Sequence, residues 1–380
     1  MALADFTFAF CQGKTICTAK NPKIKSIRIY NDGGARPRWS PKGDLLVFDQ
    51  KNPKGYFALH TMDKTFGHEQ NLTFEKPNLR KRNSGNGIFD PSGKYIVFIA
   101  EDSNPFLQRL EWSEGPKVGL FSNLWATDIK GTNLWPLTHF SYKKDSLGRK
   151  NSIIGMKNPL FSPDGKTLLW SQRYVEKTLS AKEAKCWGKW RIMAMDFNIK
   201  DSIPQGKNER VFFQPIDGNY VTAMGFLNPD EIIVAGSLEG QHEYGMDLYR
   251  YNVKEKSLKN LTNTPEFWEE EAAVTPKGHI IFMSNSASKY HFNFKETDWT
   301  KQIMEKDYFL MDQDGLHKEQ LTFFNDPYSP EYLGERVMTL ASDMSPDGLS
   351  LAATLAVDLG ATKGADFQLV LALIEFKEPL

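Results

Sequence analysis

Apolar and polar positions along the chain fall into short runs that never settle into a helical period for long. The unit is clearest at 158–172, "NPLFSPDGKTLLWSQ", where an apolar residue leads into Ser-Pro-Asp-Gly and then into an apolar-rich run. It returns as "RPRWSPKGDLLVFDQ" from Arg36, "NGIFDPSGKYIVFIA" from Asn86, "MGFLNPDEIIVAG" from Met224, "EAAVTPKGHIIFMS" from Glu271 and "ASDMSPDGLSLAATL" from Ala341. Pro presets φ for the first corner and Gly accepts the positive φ of the second, so each corner predicts a tight turn between two strands. The strand before it ends in Trp39, Phe89, Phe161 or Met344, and the strand after it is rich in β-branched and aromatic residues. A third strand follows ("YFALHTMD", "NLWATD", "RIMAMD", "DLYRYN", "YFLMDQDG"), then a short fourth ending in "NLT", "PLT", "NLT" or "QLT". The best helical candidates, 176–186 and 298–306, both fall inside insertions.

Four antiparallel strands per copy make a propeller blade, and six copies predict an all-β, six-bladed β-propeller. The repeat units run approximately 36–73, 86–138, 158–214, 220–262, 271–322 and 340–376, within a single domain spanning 1–380. The last unit supplies three strands and stops. "KIKSIRIYND", residues 24–33, is available as the missing outer strand, and pairing the two chain ends removes an exposed sheet edge. The hairpin from "DFTFAF" and "KTICTAK" then extends the closing blade or belongs to a seventh, and six is preferred. Within that hairpin Cys11 and Cys17 form a disulfide or stand as two ordinary thiols.

Composition narrows the partners. Lys plus Arg and Asp plus Glu both total 47, so no net charge draws the protein to nucleic acid or an anionic membrane. No apolar run approaches the ~20 residues of a membrane span, so a soluble protein is expected. The amino terminus has no basic lead and no small-residue cleavage site, and is not read as a signal peptide.

The "FSPDGKTLLW" stretch followed by "LWATDIKGTNLWPLT" resembles the TolB-like propeller repeat, also seen in oligopeptidase propellers and oligogalacturonate lyases, over about residues 24 to 376. The resemblance implies that the first strand of each blade lines a central channel and that the protein is exported, to the periplasm or outside the cell. The position four residues before the residue that precedes each turn Pro then lies at the channel mouth: Arg36, Asn86, Asn158, Met224, Glu271 and Ala341. In the oligogalacturonate lyase type, His near these strand starts helps hold a divalent metal, and the acid run reads Trp-Asp-Glu-His. Here the run is Trp268-Glu269-Glu270-Glu271, the ring has no His, and the seven histidines fall at unrelated places. The set offers no metal site and no cofactor beyond a hard cation such as Ca²⁺.

No Gly-x-Ser-x-Gly elbow, phosphate loop or zinc spacing appears, so no catalytic residue is assigned. Two sets of loops remain. Insertions 103–123, 173–190 and 286–307, between second and third strands, carry Trp112, Trp187, Trp190 and Trp299 with acids such as Glu114, Glu296 and Asp298. Loops of that length are often functional, although such rings also serve as caps on blade edges. The crossings between blades, expected on the opposite face, carry Trp268, Glu270, Glu271, Tyr328 and Tyr332, with Arg36 positioned to neutralise Glu271 across the channel. The expected function is a non-catalytic propeller that binds a protein partner or glycan through these faces and the channel mouth. The alternative is a carbohydrate-active lyase or hydrolase that uses the channel-mouth acids.

Overall fold

The structure, a computed structural model, describes residues 13–30, 33–79, 82–101, 121–140, 153–174, 188–296, 301–358 and 367–380. In chain order, β1 (Thr15–Ile16) and β2 (Ile24–Tyr30) precede six inner strands, each the start of one sheet. Blade I is β3 (Gly34–Trp39), β4 (Leu45–Lys51), β5 (Phe57–Asp63) and β6 (Gln70–Asn71). Blade II is β7 (Ser84–Phe89), β8 (Tyr95–Glu101), β9 (Ser122–Asp128) and β10 (Leu134–Pro136). Blade III is β11 (Ile153–Phe161), β12 (Thr167–Tyr174), β13 (Lys189–Lys200) and β14 (Ile203–Phe213). Blade IV is β15 (Val221–Asn228), β16 (Glu231–Gly236), β17 (Asp247–Asn252) and β18 (Ser257–Asn260). Blade V is β19 (Glu270–Val274), β20 (Ile280–Ser284), β21 (Asp307–Met311) and β22 (Glu319–Gln320). Blade VI is β23 (Val337–Met344), β24 (Ser350–Asp358) and β25 (Phe367–Phe376), completed by β2, which pairs with β25. This is a six-bladed propeller. The seventh blade is set aside: β1 adds a fifth strand to the closing sheet through Thr15↔Arg28 and Ile16↔Ile27. Cys17 is exposed and unpaired, and Cys11 lies outside the described residues.

Stacking blade on blade explains why the second strands read as continuous apolar runs. Every residue of β8 is buried, because each of its faces meets a neighbouring sheet. Ile96 and Phe98 pack with Val47 and Leu59 of blade I, while Val97 and Ile99 pack with Leu168 and Trp170 of blade III. The corners stack as well. A Cβ on Gly165 would lie 3.0 Å from Pro91, one on Gly93 3.5 Å from Pro41, and one on Gly43 3.3 Å from Pro346 across the seam. Ser40 shows what the residue before Pro does: its Oγ accepts the amides of Asp44 and Leu45 and closes the turn.

The recurrent Leu-Thr that ends four of the six units is a latch. Thr73, Thr138, Thr262 and Thr322 each accept, through Oγ1, the amide of Leu59, Leu124, Leu248 or Tyr308 on the third strand. In blades II, IV and V the same hydroxyl donates to Asn123, Asp247 or Asp307. A fourth strand of two to four residues is thereby held by more than its ladder.

Among the described residues there is no α-helix, and none long and apolar enough to cross a membrane. Of the helical candidates, 176–186 and 298–300 lie outside the described residues, and 301–306 starts in a 3₁₀ turn and continues without regular structure to Lys306, which bridges to Met338. One expectation is corrected: the crossings do not lie opposite the insertions. Antiparallel order puts both at one end of each blade, as Trp268 shows by donating its amide to Asn285 Oδ1 at the start of the 286–307 insertion, 2.8 Å away.

Candidate functional site at the central bore

Each inner strand breaks its pairing at the same height, between Ala35 and Arg38, Gly85 and Ile88, Lys157 and Leu160, Ala223 and Gly225, Glu270 and Ala273, and Thr339 and Ser342. Such bulges re-aim a side chain. In four blades the bulge residue is Arg36, Asn86, Asn158 or Glu271, with φ of 51°, 52°, 50° and 51°. Asn tolerates this left-handed region; for Arg and Glu it is strained. Gly85 is dictated by a close approach, since a Cβ there would stand 2.5 Å from the Asp49 carboxylate.

Arg36, Asn86, Asn158 and Ala341 line one narrow void, partly open to solvent, together with Arg38, Gly87 and Pro159. Met224, the bulge residue of blade IV, does not join them. It is buried between blades IV and V against Ile233, Ala272 and Phe282.

Hydrogen bonds carry the ring from blade to blade. Arg36 N donates to Thr354 Oγ1 at 2.8 Å, Asn86 N to Asp49 Oδ1 at 2.8 Å, and Asn158 N to Asn86 Oδ1 at 3.3 Å. Asn158 Nδ2 then donates to Thr222 Oγ1 at 3.1 Å. The ion pair of Arg36 is made inside its own blade: Nε donates to Asp49 Oδ2 at 2.5 Å, so the expected pairing with Glu271 across the channel gives way to a nearer carboxylate. Burial still raises Asp49 to about 6, with the Arg36 charge, its hydrogen bond and the Asn86 amide opposing. Arg38 Nη1 reaches Asp343 at 3.3 Å.

A second group of charges crowds the bore from blades III to V. Glu270, 4% exposed, accepts from Tyr220 Oη, from Trp268 Nε1 at 3.1 Å and from Lys157 Nζ at 3.3 Å. Burial pushes its carboxyl up, but Lys157, these two donors and Lys306 together outweigh it and hold Glu270 below the usual carboxylate range. Glu271, beside it, is pushed up by burial and by the Glu270 charge, against Lys157, Arg38 and Arg36. Lys306, 2% exposed, touches no acid among the described residues; its Nζ sits 3.4 Å above the centre of the Trp268 ring and 3.9 Å from Met283 Sδ. Burial lowers it to about 7, with Glu270 and Glu271 opposing. Glu269 faces away, accepting from Thr264 and Ser284, and burial raises it.

The aromatic residues divide. Trp190 packs edge-on against Tyr220 at 5.3 Å, and Lys157 Nζ lies 4.8 Å from the Tyr220 ring centre. Trp268 is buried among Tyr244 and Phe292, so these insertion rings act as core. Tyr328 is 96% exposed and Tyr332 half-buried on the crossing after β22, apart from the bore. Trp112, Trp187, Trp299, Glu114 and Asp298 lie outside the described residues, and Glu296 pairs with Lys301 at 3.6 Å. His60, His68 and His317 bind Glu69, Asp63 and Asp312 on outer turns. Among the described residues no group of three or more His, Cys, Asp or Glu is placed to hold a metal ion.

Asp49, Arg38, Lys157, Tyr220 and Lys306 were missed by sequence reasoning. Asp49 had a signal: it stands eight residues after its turn Pro, as Ser171 and Thr354 do, and all three reach the next blade's inner strand. Lys306 had none, lying at the end of a long insertion.

No protein-family model and no curated protein sequence matches the chain. Among solved structures it is similar to TolB from Acinetobacter baumannii, at 13% identity and a TM-score of 0.51, over 88% of this chain and 64% of that one. The chain therefore spans less than two thirds of that TolB. It is also similar to a gluconolactonase from Xanthomonas campestris, at 10% identity and a TM-score of 0.52, over 96% of this chain and 98% of that one. Likeness at this level is one of fold alone.

Proposed function

We propose that this chain is an exported binding propeller, taking a protein partner or glycan on its loop-rich face and one polar group of that ligand in the bore. The observation that carries the reading is the set of four polar bulge residues, Arg36, Asn86, Asn158 and Glu271, held in the left-handed region on the inner strands, the first three lining one void. Side chains fixed in this way meet a ligand with little further ordering, which favours binding. The test is a screen of glycan arrays and peptide libraries with the wild type and with Asn158→Gly, which keeps the backbone conformation and deletes the carboxamide. Ligands held by the wild type and lost by the variant support the reading. An array on which every hit is indifferent to Asn158 and to Arg38→Gln overturns it.

A second reading has its own observation. Lys306, brought to about 7 by burial, shares its surroundings with Glu270 and Glu271, and an amine near neutrality beside carboxyls is the equipment of proton transfer. It makes the chain a carbohydrate-active lyase or hydrolase. Release of unsaturated or reducing sugar ends by the wild type, abolished in Lys306→Met, would establish it.

A further inference from the structure

The bore has a chemical preference of its own. Its void is lined by two guanidiniums, two carboxamides, Gly87, Pro159 and Ala341, with no carboxylate among them. The acids that balance the guanidiniums stand behind: Asp49 is fully enclosed and spends one oxygen on Arg36 Nε and the other on the Asn86 amide. Asp343 spends an oxygen on the Trp39 amide at 2.7 Å. This leaves donors over. Arg36 Nη2 is enclosed and has no acceptor among the described residues. An enclosed guanidinium N–H left bare costs about 1–3 kcal/mol, and such groups in folded proteins are usually matched by a water or a ligand. Asn86 uses its Oδ1 on the Asn158 amide, and its side chain lines the void. Arg36 itself is fixed by Asp49 and by the Phe57 ring, 5.3 Å from its Cζ. The donor set is thus rigid, with both guanidiniums balanced by carboxylates from behind and Arg36 Nη2 to spare, and it faces a space too narrow for a folded chain.

From this geometry we infer that the bore is a carboxylate-binding site, in which Arg36, Arg38 and Asn86 receive one small planar oxyanion. Guanidinium and carboxamide N–H groups match the two oxygens of a carboxylate, and the charge-assisted bonds are about twice as strong as neutral ones. The inference rests on the binding reading above and narrows it, by naming the group that enters the bore.

The test uses the full chain and small probes at constant ionic strength: sodium acetate, sodium phosphate, sodium chloride and methyl glucoside, followed by calorimetric titration and by melting temperature. Acetate is expected to bind saturably and to be weakened at least tenfold in Asn86→Gly and in Arg38→Gln. Asn86→Gly is chosen because φ is 52° there, so glycine keeps the fold while the amide donor is lost. Each variant's melting temperature without ligand reports whether it has folded. Acetate that fails to saturate the wild type, or that binds both folded variants as it binds the wild type, overturns the inference. Phosphate bound more tightly than acetate overturns the assignment to a planar anion. Methyl glucoside bound in acetate's place and lost in the variants sinks the carboxylate and leaves the binding propeller standing. Glycan and peptide hits that ignore both variants sink the propeller reading as well.

Discussion

Replacing Lys306 by methionine is expected to stabilise the protein at neutral pH, by an amount that fades as the pH rises. The side chain is buried, no carboxylate among the described residues touches it, and burial lowers its pKa from 10.5 to about 7. Where both folded and unfolded chains hold the proton, that difference costs the fold on the order of 5 kcal/mol. The face of Trp268, 3.4 Å below Nζ, returns about 2 kcal/mol to a desolvated cation. Methionine keeps most of the apolar stem against Trp268 and Met283, so about 3 kcal/mol remains for the substitution to recover. Glu270 loses little, because Lys157 and the donors Tyr220 and Trp268 all outrank Lys306 in holding its charge.

The pH course separates this account from its rival. Below about 7 both states carry the lysine proton and the penalty stands in full. Between about 7 and 10.5 the unfolded chain keeps a proton that the folded chain has released, so wild-type stability climbs with pH. Above 10.5 both forms are neutral and the advantage of methionine is gone. Urea midpoints for wild type and Lys306→Met at intervals from pH 6 to 10 measure the curve. A variant less stable than wild type at pH 7 would mean that the ammonium's attraction to Glu270 and Glu271 exceeds its burial cost. A difference that does not change with pH would mean that packing, not charge, sets it. Either result refutes the reasoning.

Other substitutions probe the scaffold. Burial raises Asp307 from 3.8 to about 7, against the Phe324 amide, Asn325 and Thr322, so its cost grows as pH climbs through that window. Asp307→Asn, which copies Asn123 in blade II, is expected to stabilise by up to about 4 kcal/mol above pH 7 and by nothing below pH 4, read from melting curves. Thr262→Val removes the acceptor of the Leu248 amide and the donor to Asp247, and is expected to lower the urea stability by about 1–3 kcal/mol with an unchanged slope. Glu271→Gly relieves a φ of 51° and a half-buried carboxyl with a raised pKa, and is expected to stabilise by about 1 kcal/mol or more, increasingly toward high pH.

The ring was legible because its signals are local. Pro and Gly corners set strand ends, and a fixed number of residues from corner to bulge puts Arg36, Asn86, Asn158, Glu271 and Ala341 at one height. That count failed only at Met224, where the shorter corner "NPDE" lacks the glycine and the bulge residue turns into the core between blades. The partners of the bore were not legible, since the ring supplies them across the sequence. Tyr220 and Lys157 reach Glu270 from 50 and 113 residues away. Trp268 read as a rim residue because its segment is polar, yet insertion aromatics at 290–294 fold over it and bury it.

The comparison among blades bears on what the bore is for. Blades IV and VI carry the same bulge with Met224 and Ala341, neither of which needs a positive φ. Closing the ring therefore does not require left-handed residues. Asn86 and Asn158 tolerate that conformation, but Arg36 and Glu271 bear about 1–3 kcal/mol each, where glycine would bear none. Packing does not return it: the Arg36 side chain leaves an enclosed N–H bare, and Glu271 is held beside a second carboxylate. Two residues that weaken the fold in mirrored roles, one cation and one acid, at the height where the bore is lined by amides, are hard to account for as scaffold. They are accounted for if the bore is occupied, with the ligand's oxyanion completing Arg36.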